Sequence, residues 1–231
     1  MILRKSMRIF SILVIFILAS CAYTHGDWID FVEYDDIQYI RNYENEIKGN
    51  LLTVDDIDKE YFEVKRKLSG GINNPGYVSK SGDAAYLDEG TLIYTVKGYD
   101  PDFRVAAFQD EDIILYEAYR NKWAKKGSEL LDIEDKVDSI SIMENREEDS
   151  EKIATIDDEE TVEKLVDMIM EAPVDHSEGV GEEQYYMLTF YLKDGTVVNR
   201  YYDIGGGILA MGIQLPEEFR DIIEYACEEQ K

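Results

Sequence analysis

The longest apolar run in the chain lies near its start, from Ile9 to Ala19 with only Ser11 interrupting, and follows Arg4, Lys5 and Arg8. These eleven residues span only about 17 Å as a helix, against a hydrocarbon core of ~30 Å, so the run reads as a removable export signal and not a permanent membrane span. Beyond residue 28 the pattern changes to short alternating stretches. Phe31-Val32-Glu33-Tyr34 and Ile37-Gln38-Tyr39-Ile40 flank Asp35-Asp36 and predict a hairpin. Strand-like runs follow over Tyr61 to Leu68, Thr91 to Lys97, Arg104 to Phe108 and Ile113 to Tyr119. Gly70-Gly71, Asn73-Asn74-Pro75-Gly76, Ser81-Gly82-Asp83 and Tyr99-Asp100-Pro101-Asp102 separate them with residues that preset turns or tolerate positive φ. An antiparallel β-rich domain over 28–125 is the expectation, followed by a charged linker over 126–135.

The remaining segment, 136–231, mixes periods. Val137 to Met143 alternates as a half-buried strand does. Asp157 with Glu160 predicts a helix start, and Val162, Leu165, Val166 and Ile169 recur at helical spacing up to Pro173. Tyr185 to Leu192 and Thr196 to Tyr202 flank Lys193-Asp194-Gly195, a strong hairpin signal, and a short strand over Leu209 to Ile213 joins them. Pro216 opens a last helix with Phe219, Ile222, Ile223 and Ala226 on one face. The predicted fold class is therefore α+β and β-rich: an antiparallel β domain, then a smaller α+β domain with two helices on an antiparallel sheet.

At the end of the apolar run stands Leu18-Ala19-Ser20-Cys21, which resembles the lipobox of bacterial lipoprotein precursors. The resemblance implies that Leu18, Ala19 and Ser20 are read by a dedicated signal peptidase, which cuts before Cys21, and that the Cys21 sulfur carries diacylglycerol. Residues 1–20 are then the signal peptide and 21–27 the lipidated cysteine and its tether, whose six residues from Ala22 to Asp27 reach only about 20 Å when extended. The body is similar in style to the small extracytoplasmic lipoproteins of bacilli. That likeness carries over no functional residue beyond the lipobox.

Charge changes the picture of what such a body meets. The chain has 24 basic and 50 acidic residues, a formal net charge of −26, and loses three of the basic ones with residues 1–20. Nucleic acid and anionic membrane surfaces are thereby excluded as electrostatic partners. A hydrophobic content of 45%, with 17 Tyr, separates the chain from acidic disordered tails. Once Cys21 is a thioether, Cys227 has no intrachain disulfide partner, and its position late in a helix beside Glu228 and Glu229 disfavours a reactive thiolate.

The search for chemistry returns mostly absences. His25 and His176 have no zinc-ligand spacing, no Gly-x-Ser-x-Gly elbow occurs, and Gly205-Gly206-Gly207 lacks the Lys of a phosphate loop. Asp55 to Glu60 and Asp110-Glu111-Asp112 lack the glycine and distal Glu of an EF-hand and read as solvated faces. Tyr86, Tyr94, Tyr99, Tyr116 and Tyr119, with Tyr185, Tyr186, Tyr191, Tyr201 and Tyr202, suit strand packing, or glycan and protein recognition where exposed. No catalytic residue, metal or cofactor is expected. The sequence predicts a lipoprotein tethered to the outer face of the cell membrane, a non-catalytic binding or interaction module with a cell-envelope protein or glycan partner. The alternative is a carboxylate-dependent cell-wall hydrolase.

Overall fold

Asp35 and Asp36, at φ 48° and 64°, make the two-residue left-handed turn that matches strand twist, and so join β1 (Phe31–Tyr34) to β2 (Ile37–Arg41). This hairpin belongs to a computed structural model describing residues 28–47, 49, 52–72, 76–110, 112–144, 151–177 and 185–230. The expected signal segment, the lipobox-like residues Leu18, Ala19, Ser20 and Cys21, the expected tether with His25, Asn73 to Pro75 and Glu111 lie outside the described residues.

The architecture is α+β and β-rich, as the alternation predicts. The chain continues through the one-turn helix α1 (Tyr43–Ile47), β3 (Ile57–Glu63), β4 (Arg66–Lys67), β5 (Asp83–Ala84), β6 (Leu92–Val96), β7 (Arg104–Gln109) and β8 (Asp112–Asn121). These strands form a curled eight-stranded sheet in the order β3-β6-β7-β8-β2-β1-β5-β4, antiparallel except for the pair β4 and β5. Val32, Tyr39, Ile93, Val105, Ile114 and Tyr116 fill its main core.

The second sheet has six strands in the order β10-β9-β11-β12-β13-β14. They are β9 (Val137–Glu144), β10 (Glu151–Ile156), β11 (Tyr185–Leu192), β12 (Val197–Asp203), β13 (Ile208–Leu209) and β14 (Ile213–Gln214). Helices α2 (Glu159–Glu171) and α3 (Glu217–Glu229) pack on it through Leu165, Ile169, Phe219 and Ile223. Leu130, Leu131 and Ile133, from the segment before β9, are fully buried in the same core. Among the described residues no helix is long and apolar enough to cross a membrane.

Several elements depart from the sequence expectation. The strand expected over Tyr61 to Leu68 starts earlier, at Ile57, and breaks before β4. As an edge strand, β3 exposes Asp58, Lys59 and Glu60, so its first half reads as loop. The single strand expected over Leu209 to Ile213 is two short ones around Met211 and Gly212, whose φ values of 71° and 80° reverse the chain. The cap of α2 is Asp158, not Asp157: its carboxylate accepts from the Thr161 N–H at 3.0 Å.

Candidate functional site

The two sheets meet along a seam of buried polar groups. Arg104 opens β7 and is fully buried; its Nη2 donates to Glu117 Oε1 on β8 at 2.7 Å and its Nη1 to Thr196 Oγ1 at 3.0 Å. Arg200 on β12 reaches back, donating to Glu117 Oε2 at 3.4 Å and to the Ala118 carbonyl at 3.3 Å. Asn42 Nδ2 also donates to Glu117, at 3.0 Å. One buried carboxylate thus serves two guanidiniums and an amide. Desolvation holds Arg200 below its ordinary value despite Glu117 beside it. Asn45 on α1 adds a peptide-like pairing: its Oδ1 accepts from the Val197 N–H at 2.8 Å and its Nδ2 donates to the Val197 carbonyl at 3.2 Å.

At one edge of the seam, the β11 to β12 turn docks on the first unit. Tyr99 Oη donates to Asp194 Oδ2 at 2.5 Å, and the Arg104 guanidinium lies 4.0 Å over the Tyr99 ring. Burial alone would raise Asp194, but the hydrogen bonds from Tyr99 and Thr196, with nearby Arg104, bring it below the ordinary carboxylate value. These contacts close the seam to solvent, so its charges fasten the sheets together and do not form an open reaction site.

Next to the seam, where β8 ends, lies an open cleft of about 390 Å³. Asn121, Trp123, Asp100, Asp102, Glu129 and Asp132 line it, with Lys125 the basic lining residue. Asn121 is 7% exposed, and its Oδ1 accepts from the Trp123 N–H at 3.0 Å. Its side-chain amide is among the groups that line the cleft. Trp123 is 66% exposed, with Lys122 Nζ 4.7 Å from its ring.

The carboxylates of the cleft are partly committed. Asp100 Oδ1 accepts from the Asp102 N–H at 2.9 Å. Asp132 accepts from the Asp100 N–H at 2.7 Å and from Lys136. Glu129 accepts from the Lys125 N–H at 2.6 Å. Partial burial, then Asp100 nearby, hold Asp102 above the ordinary carboxylate range, even with Tyr61 donating to it at 3.4 Å. What remains free is an acidic rim, one amide donor and one aromatic face. That set can hold a polar, ring-bearing ligand by stacking and hydrogen bonds.

The residues singled out in the sequence fall elsewhere. Asp203 Oδ1 accepts from the N–H groups of Gly205 and Gly206 at 2.9 and 3.1 Å, so the protein's own carboxylate fills the glycine turn that a phosphate would need. Asp56 is held by Thr53, through N–H and hydroxyl donors at 2.8 and 2.7 Å. A second cleft, about 420 Å³, is lined by Asp138, Asp157, Glu159, Glu163 and Asp167 among others. Among the described residues no group of three or more His, Cys, Asp or Glu side chains converges on a metal position. His176 Nε2 lies 2.7 Å from the Ala124 carbonyl, and Cys227 is buried in the second core. The tyrosines divide: Tyr116 and Tyr202 are buried, whereas Tyr119 and Tyr201 are exposed, the latter edge-on to Tyr185 at 5.1 Å.

Neither Asn121 nor Trp123 stands out in the sequence, because both sit where charge density rises after β8. The available signal was a lone tryptophan among basic residues, with Arg120, Lys122, Lys125 and Lys126 around it. No protein-family model, curated protein or solved structure matches the chain.

Proposed function

We propose that the chain is an extracytoplasmic lipoprotein, anchored through diacylglycerol on Cys21, whose folded body is a non-catalytic binding module for a cell-envelope glycan. The cleft at the end of β8 carries the reading. It combines an exposed indole, Trp123, with the side-chain amide of Asn121, which the Trp123 N–H anchors through its Oδ1. Stacking on an aromatic face plus a fixed amide donor is the chemistry that recognises a pyranose ring and its hydroxyls.

The anchor rests on Arg4, Lys5 and Arg8, the apolar run from Ile9, and Leu18-Ala19-Ser20-Cys21. Replacing Cys21 with Ala should release the protein into the medium or leave it unprocessed. Titration with soluble wall-glycan fragments should change Trp123 emission saturably. Trp123→Ala and Asn121→Asp should each weaken binding, the second while keeping the acceptor for the Trp123 N–H. A flat titration of the folded wild-type chain sinks the glycan assignment.

One observation favours a second reading, a carboxylate-dependent wall hydrolase: Asp102 is held above the ordinary range with Asp100 beside it. The binding module is favoured because both neighbouring carboxylates are already engaged by backbone, Asp100 by the Asp102 N–H and Asp132 by the Asp100 N–H. New reducing ends released from wall glycan, and lost in Asp102→Asn, would reverse that order.

A further inference from the structure

The described body begins at Trp28, and the residues around that entry point form an apolar and aromatic face on an otherwise acidic protein. Ile29 is 66% exposed, Tyr43 48%, Ile47 77% and Tyr86 39%. They are neighbours for identifiable reasons. Tyr86 Oη donates to the Trp28 carbonyl at 2.8 Å. Tyr43 and Ile47 stand one turn apart on α1, and the Arg41 guanidinium sits 4.7 Å over the Tyr43 ring. Arg41 is itself held by Glu46 at 2.8 and 3.0 Å and by Asp30 at 3.3 Å, so the charges beneath the face are paired.

We propose that this face lies in the interfacial region of the bilayer, with the cleft pointing away from it; the proposal rests on the anchor at Cys21. Three observations converge. The tether from Ala22 to Asp27 has six residues and holds Trp28 within about 20 Å of the lipidated cysteine. Trp, Tyr and Ile are side chains that a membrane–water interface accepts, since ring or methyl groups enter the acyl boundary while hydroxyls stay hydrated. Strand register sets the orientation: Arg41 pairs with Tyr116, beside the face, and Ile37 pairs with Asn121, beside the cleft. Five residues of β8 therefore separate the two, about 17 Å at ~3.4 Å per residue. The acidity of the body adds repulsion from anionic headgroups, so these contacts act alongside the lipid and do not replace it.

The chain has two tryptophans, one at each end of this ladder. The full chain, lipidated at Cys21 in a bacterial host, is placed in phosphatidylcholine vesicles with or without acyl chains brominated near the headgroup. Trp123→Phe isolates Trp28, and Trp28→Phe isolates Trp123. Trp28 emission should fall at least about twofold in brominated vesicles, Trp123 emission should stay unchanged, and Ile47→Asp should reduce the quenching of Trp28. Co-flotation with vesicles but no quenching of Trp28, or equal quenching of both, overturns the orientation while leaving the anchor intact. Trp28 shielded without bromine dependence, in a species of dimer mass, assigns the face to a second copy and overturns the proposal. A chain that carries no lipid and does not float overturns the anchor and this inference together.

Discussion

Glu117 on β8 and Arg200 on β12 face each other across the two sheets, Oε2 to Nη1 at 3.4 Å, with both residues more than nine-tenths buried. Removing the carboxylate would leave Arg104 and Arg200 buried without their shared counter-ion. Breaking one side of such a pair costs about 3 to 5 kcal/mol, whereas the intact pair adds little beyond an apolar replacement. Glu117→Gln is expected to destabilise the fold by about that amount, measured by urea unfolding. Adding Arg200→Met to Glu117→Gln should recover part of the loss, because one stranded cation is gone. Additive losses in the double variant would mean that the two residues do not act through each other.

Gly127 is required by a close approach and not by its backbone angle. A Cβ built there would lie 1.8 Å from the Ile169 carbonyl oxygen at the end of α2. Its N–H donates to the Ala172 carbonyl at 2.9 Å, so the segment cannot retreat without losing that bond. Gly127→Ala should destabilise by about 1 to 3 kcal/mol, the usual range for overpacking. Gly71→Ala serves as control: its nearest Cβ contacts are at 3.9 Å and its φ is not left-handed. It should stay within about 0.5 kcal/mol of the parent. Equal effects at the two positions would contradict the close approach.

Local signals were legible where one face is buried and the turn is chemically marked. The β1 to β2 hairpin follows from alternation around Asp35-Asp36, and the β11 to β12 hairpin from alternation around Asp194-Gly195. Helices α2 and α3 follow from their apolar stripes. Elements whose stability comes from elsewhere were not legible. Helix α1 has five residues and no apolar period; it exists in context, where Asn45 pairs with the Val197 backbone. Strand β10, Glu151–Ile156, is an edge with a bulge between Lys152 and Ala154 that breaks its alternation. The seam is invisible for another reason: Arg104 and Glu117 look like solvent-facing strand residues until Arg200, distant in sequence, is brought beside them.

The start of α2 offers a direct comparison of a sequence-predicted cap with the observed one. Asp158 accepts from both the N–H and the hydroxyl of Thr161, at 3.0 and 2.7 Å, and these bonds hold its carboxyl below the ordinary value. Asp158→Ala should lower the Tm by a few degrees, as the loss of an N-cap does. Asp157→Ala should leave it unchanged at neutral pH. The reverse order would move the helix start back to Asp157.

Ionisation sets limits on stability at both ends of the pH scale. At the acid end, Asp194 and Asp158 lie below their ordinary value in the folded chain. Their contribution is present above the unfolded pKa of about 3.9 and lost as pH falls through the folded one. At the alkaline end, burial pushes Tyr61 and Tyr202 up to about 12, and Tyr39, Tyr99 and Tyr116 further. The unfolded chain releases these protons near pH 10 while the folded chain retains them, so stability falls as pH rises above about 10. Each buried phenol steepens the fall. Following tyrosinate absorbance together with circular dichroism, the last part of the absorbance change should therefore coincide with cooperative loss of β structure. Complete ionisation of all 17 tyrosines before any loss of ellipticity would show that the buried phenols do not resist deprotonation.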